Sequence, residues 1–147
     1  MDSEQIQLHN AIVDNRFPVK FVSPFSKSLN AELLALDIDA GTISCQFQIS
    51  NAFTHGGGVI QGGILSAMLD FTMAMLCLAG AEKNSVIATT DLHAQFLAPS
   101  THGRFICQAT FVRKGRKTAF TRAELKNASD MTVASAIATN IILQSKK

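Results

Sequence analysis

The stretch His55-Gly-Gly-Gly-Val-Ile-Gln61-Gly62-Gly63, running straight into Ile64–Ala81 (ILSAMLDFTMAMLCLAGA), decides how the rest of the chain is read. Its second part is 18 residues long and carries one charge, Asp70. By length it nearly qualifies as a bilayer-spanning helix. An Asp at the centre of such a helix costs about 2.5–3.5 kcal/mol, however, and the strand-like stretches that follow need a core of their own. A helix apolar on nearly every side is then the central helix of a globular domain, with no membrane partner.

Outward from this helix the period changes on both sides. Upstream, Glu32, Leu34, Leu36 and Ile38 alternate with other residues, and after Asp39-Ala40-Gly41-Thr42 so do Ile43, Cys45, Phe47 and Ile49. Two alternating runs around an Asp-x-Gly turn predict an antiparallel hairpin. Downstream, Val86, Ala88, Leu92, Ala94 and Phe96 are expected on one strand face, with Thr89, Asp91, His93 and Gln95 on the other. Phe105, Cys107, Ala109 and Phe111 form a second inward row, and Thr118–Leu125 and Met131–Leu143 two more strands. The last is dense enough in Ala, Val and Ile to predict burial on both faces. A short helix over Ser3–Arg16 and a loop over Pro18–Ser28 precede all of this, so residues 1–28 divide from a main domain over 29–147. Strands in antiparallel runs with a segregated helix make an α+β domain, the sheet curving around the long apolar helix.

Composition bounds the function. The chain has 147 residues, 47% hydrophobic and 16% charged, enough for one well-cored domain. Lys plus Arg is 13 against 11 acidic residues, a net charge of +2, which is too weak a basic excess for a broad nucleic-acid surface. Cys45, Cys77 and Cys107 have neither an even count nor metal-ligand spacing, so no disulfide framework and no zinc site is expected. The opening MDSEQIQLHN has no apolar signal region. Together these predict a cytoplasmic protein without metal or cofactor.

Chemistry gathers at the glycine loop and at Asp70. Glycines at a helix N-terminus expose unpaired backbone N–H groups. They would serve a phosphate, an oxyanion growing on a carbonyl, or only a tight turn. Gly-Ile follows the glycines where a phosphate loop needs Lys-Ser/Thr, and no βαβ unit is present to hold a dinucleotide. Asp70 lies among Leu69 and Phe71, where an unpaired carboxylate must pair, neutralise or face a cavity. Its helical neighbours Ser66, Ala67, Met73 and Ala74, with Gly63 and Cys77 farther along the same side, are mostly small, which lets a ligand or another backbone come close. Either it is a general base or nucleophile, or it is a structural acid bonded to a strand. Gly62 lies about 12 Å from it along the helix, so the two would meet only across a dimer. Arg113-Lys114-Gly115-Arg116-Lys117 is a basic turn, solvated or phosphate-binding. His9, His93 and His102 have no ligand spacing, no Ser sits in a nucleophile elbow, and the cysteines lie in apolar runs.

Gln61-Gly62-Gly63-Ile-Leu-Ser-Ala-Met-Leu-Asp70 resembles the His/Gln-Gly-Gly-x6-Asp signature of the hotdog-fold acyl-CoA thioesterases of the phenylacetate-pathway (PaaI) type. Thr89–Pro99 resembles that family's strand ending in Phe-Leu-x-Pro, and Val112–Arg116 continues the likeness. The resemblance covers about Leu33–Leu143. It implies a hotdog fold, a long helix wrapped by an antiparallel sheet, in homodimers and homotetramers acting on acyl-CoA. It implies Asp70 as general base or nucleophile, the Gly62 N–H polarising the thioester carbonyl, and Thr89 positioning the water. Gln61, Gly63 and the basic turn Arg113, Lys114, Gly115 and Arg116 would bind substrate. His55 stands where the family often has Asn, and Asn51 lies farther back, so both are candidates for orienting water. Phe53, Met68, Phe71 and Met73 are candidate acyl-pocket side chains. A hotdog hydratase or dehydratase using His55 as second acid–base group, and a non-catalytic acyl-CoA-binding protein, are the rival readings.

Overall fold

Residues 3–144 are described by a computed structural model. The chain enters through α1 (Ser3–Asp14), whose Leu8 and Ala11 turn into the core. The helix stops where Asn15 adopts a left-handed backbone (φ 46°), a conformation Asn tolerates better than most residues. The expected loop over Pro18–Ser28 is more ordered than predicted. It contains a two-residue strand, β1 (Val19–Lys20), and a short helix, α2 (Pro24–Ser28). Ser23 caps α2, its hydroxyl accepting from the Ser26 N–H, with Pro24 at the first helical position. That Ser-Pro start signal was present in the sequence.

The predicted hairpin follows as β2 (Glu32–Asp37) and β3 (Thr42–Ile49). At its turn Gly41 has φ 69°, and Asp37 Oδ1 accepts from the Ala40 N–H at 2.9 Å. A single 3₁₀ turn (Asn51–Phe53) and the glycine loop lead into α3 (Gly62–Ala79). Four strands complete the chain: β4 (Ser85–Phe96), β5 (Gly103–Lys114), β6 (Thr118–Asn127) and β7 (Thr132–Gln144). All pair antiparallel in one curved sheet ordered β1-β2-β3-β5-β6-β7-β4.

The helix α3 lies against one face of that sheet. Leu65, Met68, Leu69, Met73 and Leu76 meet Cys45 and Phe47 of β3, Phe105 and Cys107 of β5, and Leu125 of β6 in one core. Phe71 meets Phe21 edge-on at 5.1 Å and Phe47 at 6.0 Å, the geometry aromatic quadrupoles favour. On β6 and β7 the inward positions include Ala123, Ala134, Ala136 and Ala138. Small side chains there leave room for the bulk of α3. Leu8, Ala11 and Phe21 belong to the same core, so α1 and the segment after it pack onto the main domain. Long and apolar enough to cross a bilayer, α3 instead has over half of that stretch buried within the fold.

Two face assignments need correction. The β4–β7 register shifts between Thr89 and Asp91, a bulge at Thr90. A bulge reverses which residues face the core beyond it. Val86 is therefore exposed on the outer face, while Leu92 and Ala94 pack inward. Thr89 turns inward, away from the side occupied by the exposed Asp91, His93 and Gln95. The last strand is buried on one face only: Ile137 is 57% and Leu143 51% exposed on the other. What remains uncovered on α3 is the side bearing Gly63, Ser66, Ala67, Asp70 and Ala74, all exposed or half-buried.

The three cysteines are free and buried. Burial raises the Cys77 thiol to about 12, the nearby Lys114 charge opposing the shift, and raises Cys107 to about 12. Burial, with a coulombic contribution from Cys107, raises Cys45 further. Since a raised thiol pKa leaves almost no thiolate below it, native protein at pH 8 should show no fast-reacting thiol toward a chromogenic disulfide reagent. All three should react once the chain is unfolded. A thiol titrating rapidly in the native state would contradict the packing of α3 against β3 and β5.

Candidate active site

The site is built around the one charge on α3. Asp70 lies two turns into the helix and is half-buried. Its Oδ1 accepts a hydrogen bond from Thr89 Oγ1 at 2.7 Å. This is possible only because the β4 bulge turns Thr89 toward the helix. Behind Thr89, Asn140 Nδ2 donates to the same hydroxyl at 3.0 Å, and Thr121 Oγ1 lies 3.1 Å from Asn140 Oδ1. Among the described residues Asp70 makes no ion pair and no second hydrogen bond. One carboxylate oxygen is thus anchored and the other left to whatever enters from the half-open side.

The glycine loop supplies the second element. Thr54 and Ile60 form an isolated bridge, His55 N–H donates to Val59 O at 2.9 Å, and Gly58 takes φ 75°. Ile60 N–H, donating to Ser100 O at 2.8 Å, ties the loop to the β4–β5 connection. Gln61 is the N-cap of α3, exposed, and its side chain makes no cap bond. The N–H groups of Gly62 and Gly63 therefore begin the helix without an intrahelical acceptor. The need for glycine at 62 is steric. A Cβ there would meet the Phe96 ring at 3.2 Å. Gly62 and Asp70 are about 12 Å apart along α3, so one chain does not bring the Gly62 N–H to its own carboxylate.

The remaining expected residues are dispersed. His55 is exposed, and its Nδ1 accepts from the Gly57 N–H at 3.0 Å. Asn51 is likewise exposed and occupied locally, its Oδ1 accepting from Thr54 Oγ1 at 3.1 Å. Neither is hydrogen-bonded to Asp70 among the described residues. Met68 and Met73 are wholly buried in the core and Phe71 nearly so. Within one chain they line the packed core rather than an opening, while Asp70 lies toward the β4 edge, where it meets Thr89. Phe53 alone of those four is half-exposed.

The basic turn sits at the other end of α3. Lys114 Nζ donates to the Gly80 carbonyl, the helix C-cap, and lies 5.8 Å from the Phe111 ring centroid. A cation there complements the negative end of the helix dipole. At Gly115 a Cβ would lie 2.9 Å from Thr118 O, and its N–H donates to that oxygen at 2.8 Å, so this glycine makes the turn. Arg113 and Arg116 are exposed. No three side chains of metal-ligating type gather among the described residues. A groove of about 1130 Å³ crosses the outer face of the sheet past His93, Gln108, Arg122 and Glu124, and neither Asp70 nor Thr89 lines it.

Asn140 and Thr121 are the residues sequence reading missed. The available signal was an Asn at an inward position of an otherwise apolar alternation, Ala136-Ala138-Asn140-Ile142.

A single long helix across a seven-stranded antiparallel sheet, with a glycine-loop N-terminus and a helix-borne carboxylate, defines a hotdog-type domain. Residues 57–134 match the Thioesterase superfamily, and the chain belongs to that family of thioester hydrolases. It is 24% identical over 132 residues to the medium/long-chain acyl-CoA thioesterase YigI of Escherichia coli K12, covering 81% of this chain and 85% of that one. Among solved structures, a phenylacetic acid degradation-related protein of Ralstonia eutropha JMP134 superposes with TM-score 0.81 at 29% identity, over 92% of this chain and 98% of that one. The E. coli PaaI protein of the phenylacetic acid degradation operon superposes with TM-score 0.78 over 97% of this chain and 96% of that one. At 18% identity that likeness concerns the fold alone.

The placement of Lys114 can be tested by stability. Lys114→Met should lower unfolding free energy by about 0.5 kcal/mol at low salt, the usual scale for a cation at a helix C-terminus. The loss should shrink in high salt. An unchanged urea midpoint would free Lys114 from the capping role.

Proposed function

We propose that this chain is an acyl-CoA thioesterase, releasing a free acid and coenzyme A at a site shared by two protomers. The observation that carries this reading is the Asp70 carboxylate, half-open on an apolar helix and oriented through one oxygen by Thr89. A carboxylate kept among apolar residues without a cationic partner is suited to take a proton or attack a carbon, rather than to stabilise the fold. The named activity of YigI and the family match support the reaction class.

In this reading the thioester carbonyl oxygen lies against the Gly62 N–H, where the dipole of α3 favours developing negative charge. Asp70 takes a proton from a water molecule as its oxygen bonds to the carbonyl carbon. The tetrahedral oxyanion then collapses, the carbon–sulfur bond breaks, and the departing thiolate is protonated. Asp70 acting directly as nucleophile, through an acyl-enzyme anhydride that water then cleaves, is the variant mechanism.

Two protomers are needed because Gly62 and Asp70 of one chain are too far apart. The β4 edge is the natural seam. At one margin of the sheet it has twelve residues with no strand on its outer side among those described. Such an edge pairs readily with a second copy. Pairing β4 with its symmetry mate would bring the uncovered stripe of α3 to the partner, and the partner's Gly62 toward Asp70. Homotetramers would use further surface. Arg113 and Arg116 would meet the coenzyme A phosphates, and the unpaired thiols accord with a reducing cytoplasm. A hydratase would require a second acid–base group, and His55 is held by its own loop.

Asp70→Asn should lower kcat for acyl-CoA hydrolysis by about 10²-fold or more with folding intact. Near-normal thiol release would end the assignment. Reversing the charge of Arg113 and Arg116 should raise KM for coenzyme A thioesters well above any change for pantetheine thioesters, which lack the nucleotide phosphates. Equal effects would remove the turn from substrate binding.

A further inference from the structure

We propose that Asn140 is a positioning residue of the hydrolytic site, acting through Thr89 to hold Asp70; this rests on reading Asp70 as the base or nucleophile. Thr121, Asn140 and Thr89 sit on three neighbouring strands, β6, β7 and β4, all turned toward α3. Thr89 is directly opposite Asn140 in the β4–β7 register. Thr121 and Asn140 are almost completely buried, so neither touches substrate. Each strand contributes one polar group to a line that ends on the carboxylate.

The hydrogen count makes the line directional. A threonine hydroxyl has one hydrogen to give. Asn140 Nδ2 donates to Thr89 Oγ1 at 3.0 Å, so the Thr89 hydrogen remains for Asp70 Oδ1 at 2.7 Å. The Asn140 amide is itself oriented: Thr121 Oγ1, 3.1 Å from Oδ1, donates to the oxygen and leaves the nitrogen facing Thr89. The reversed amide would accept the Thr89 hydrogen and set two acceptors, Thr89 Oγ1 and Asp70 Oδ1, against each other at 2.7 Å. Only one orientation satisfies every group. Ala138 O, 3.5 Å from Thr121 Oγ1, is the weaker competitor for that hydrogen.

Burying two polar side chains beside Ala119, Ala123, Leu125, Ala138 and Ile142 of β6 and β7 is costly unless they are fully bonded. Here they are bonded, and the last link is an ionisable group at the open side of the fold. A purely structural pair would close on itself. This one ends at Asp70, holding Oδ1 and leaving Oδ2 without a hydrogen bond among the described residues.

The test is a double-mutant cycle on thiol release from the best substrate among acetyl-, octanoyl-, palmitoyl- and phenylacetyl-CoA. Asn140→Leu, close in shape but without hydrogen bonds, should lower kcat about tenfold with KM within about twofold. Thr89→Val should do much the same. The double variant should be no slower than Thr89→Val alone, because Asn140 acts only through that hydroxyl. Full kcat in Asn140→Leu, or losses that multiply in the double variant, would overturn the proposal. Should Asn140→Leu fail to fold, Thr121→Val takes its place, with a smaller kcat loss expected and the same absorption into Thr89→Val. Asp70→Asn separates the two levels. If it keeps wild-type activity, the reading of Asp70 fails and the positioning role with it. If it is inactive while Asn140→Leu is fully active, only the positioning role fails.

Discussion

A carboxylate cannot be left unpaired in an apolar core, and the fold answers that constraint at Asp70. The rest of α3 is apolar enough to bury on all sides, yet the sheet of one chain covers only part of it. Asp70 stands on the uncovered side, half-open, among small residues. One oxygen is satisfied by Thr89, and the other has no hydrogen-bond partner among the described residues. The acid is neither sealed and structural nor fully solvated. This intermediate state suits a group that must exchange protons with a substrate's surroundings while keeping a fixed direction.

That arrangement depends on an irregularity in a strand. Without the bulge at Thr90, Thr89 would lie on the outer face with Asp91 and His93, and Asp70 would face no donor from β4. One extra residue reverses the strand's faces and delivers a hydroxyl to the helix. The same strand is the longer of the two margins of the sheet, so the residue bonded to the acid belongs to the edge proposed to pair with a second copy of the chain. The proposed catalytic geometry and the proposed assembly therefore share a single structural element, and a change in β4 would be felt by both.

The two ends of α3 divide the remaining labour. Its N-terminus is left open, with a glycine loop tied back on itself and no side chain capping Gly62 or Gly63. Its C-terminus is closed by Lys114 on the Gly80 carbonyl. Leaving the positive end of the dipole uncapped retains its attraction for an oxyanion, while capping the negative end restores stability there. The basic turn read from the sequence as one cluster is thus divided: Lys114 serves the helix, Gly115 the turn, and the two arginines remain exposed.

Local pattern was sufficient for much of this. An 18-residue apolar run with a single Asp, a glycine loop before it and alternating runs around it mark out the central helix, the antiparallel strands and Asp70 as the one charge on that helix. Those features depend on neighbours in the chain, and periodicity records them. The facing of β4 depends on a bulge, which adds one residue to an alternation that otherwise reads as continuous, so alternation alone places Val86 and Thr89 on the wrong sides. The Thr121–Asn140–Thr89 line joins three strands that only the sheet order brings together, and nothing local distinguishes Asn140 from a tolerated core polar residue. Met68 and Met73 illustrate the same limit: a helix apolar all round carries no mark of which side meets the sheet. Chain-local chemistry thus set what the elements are, and tertiary packing alone decided which way their side chains point.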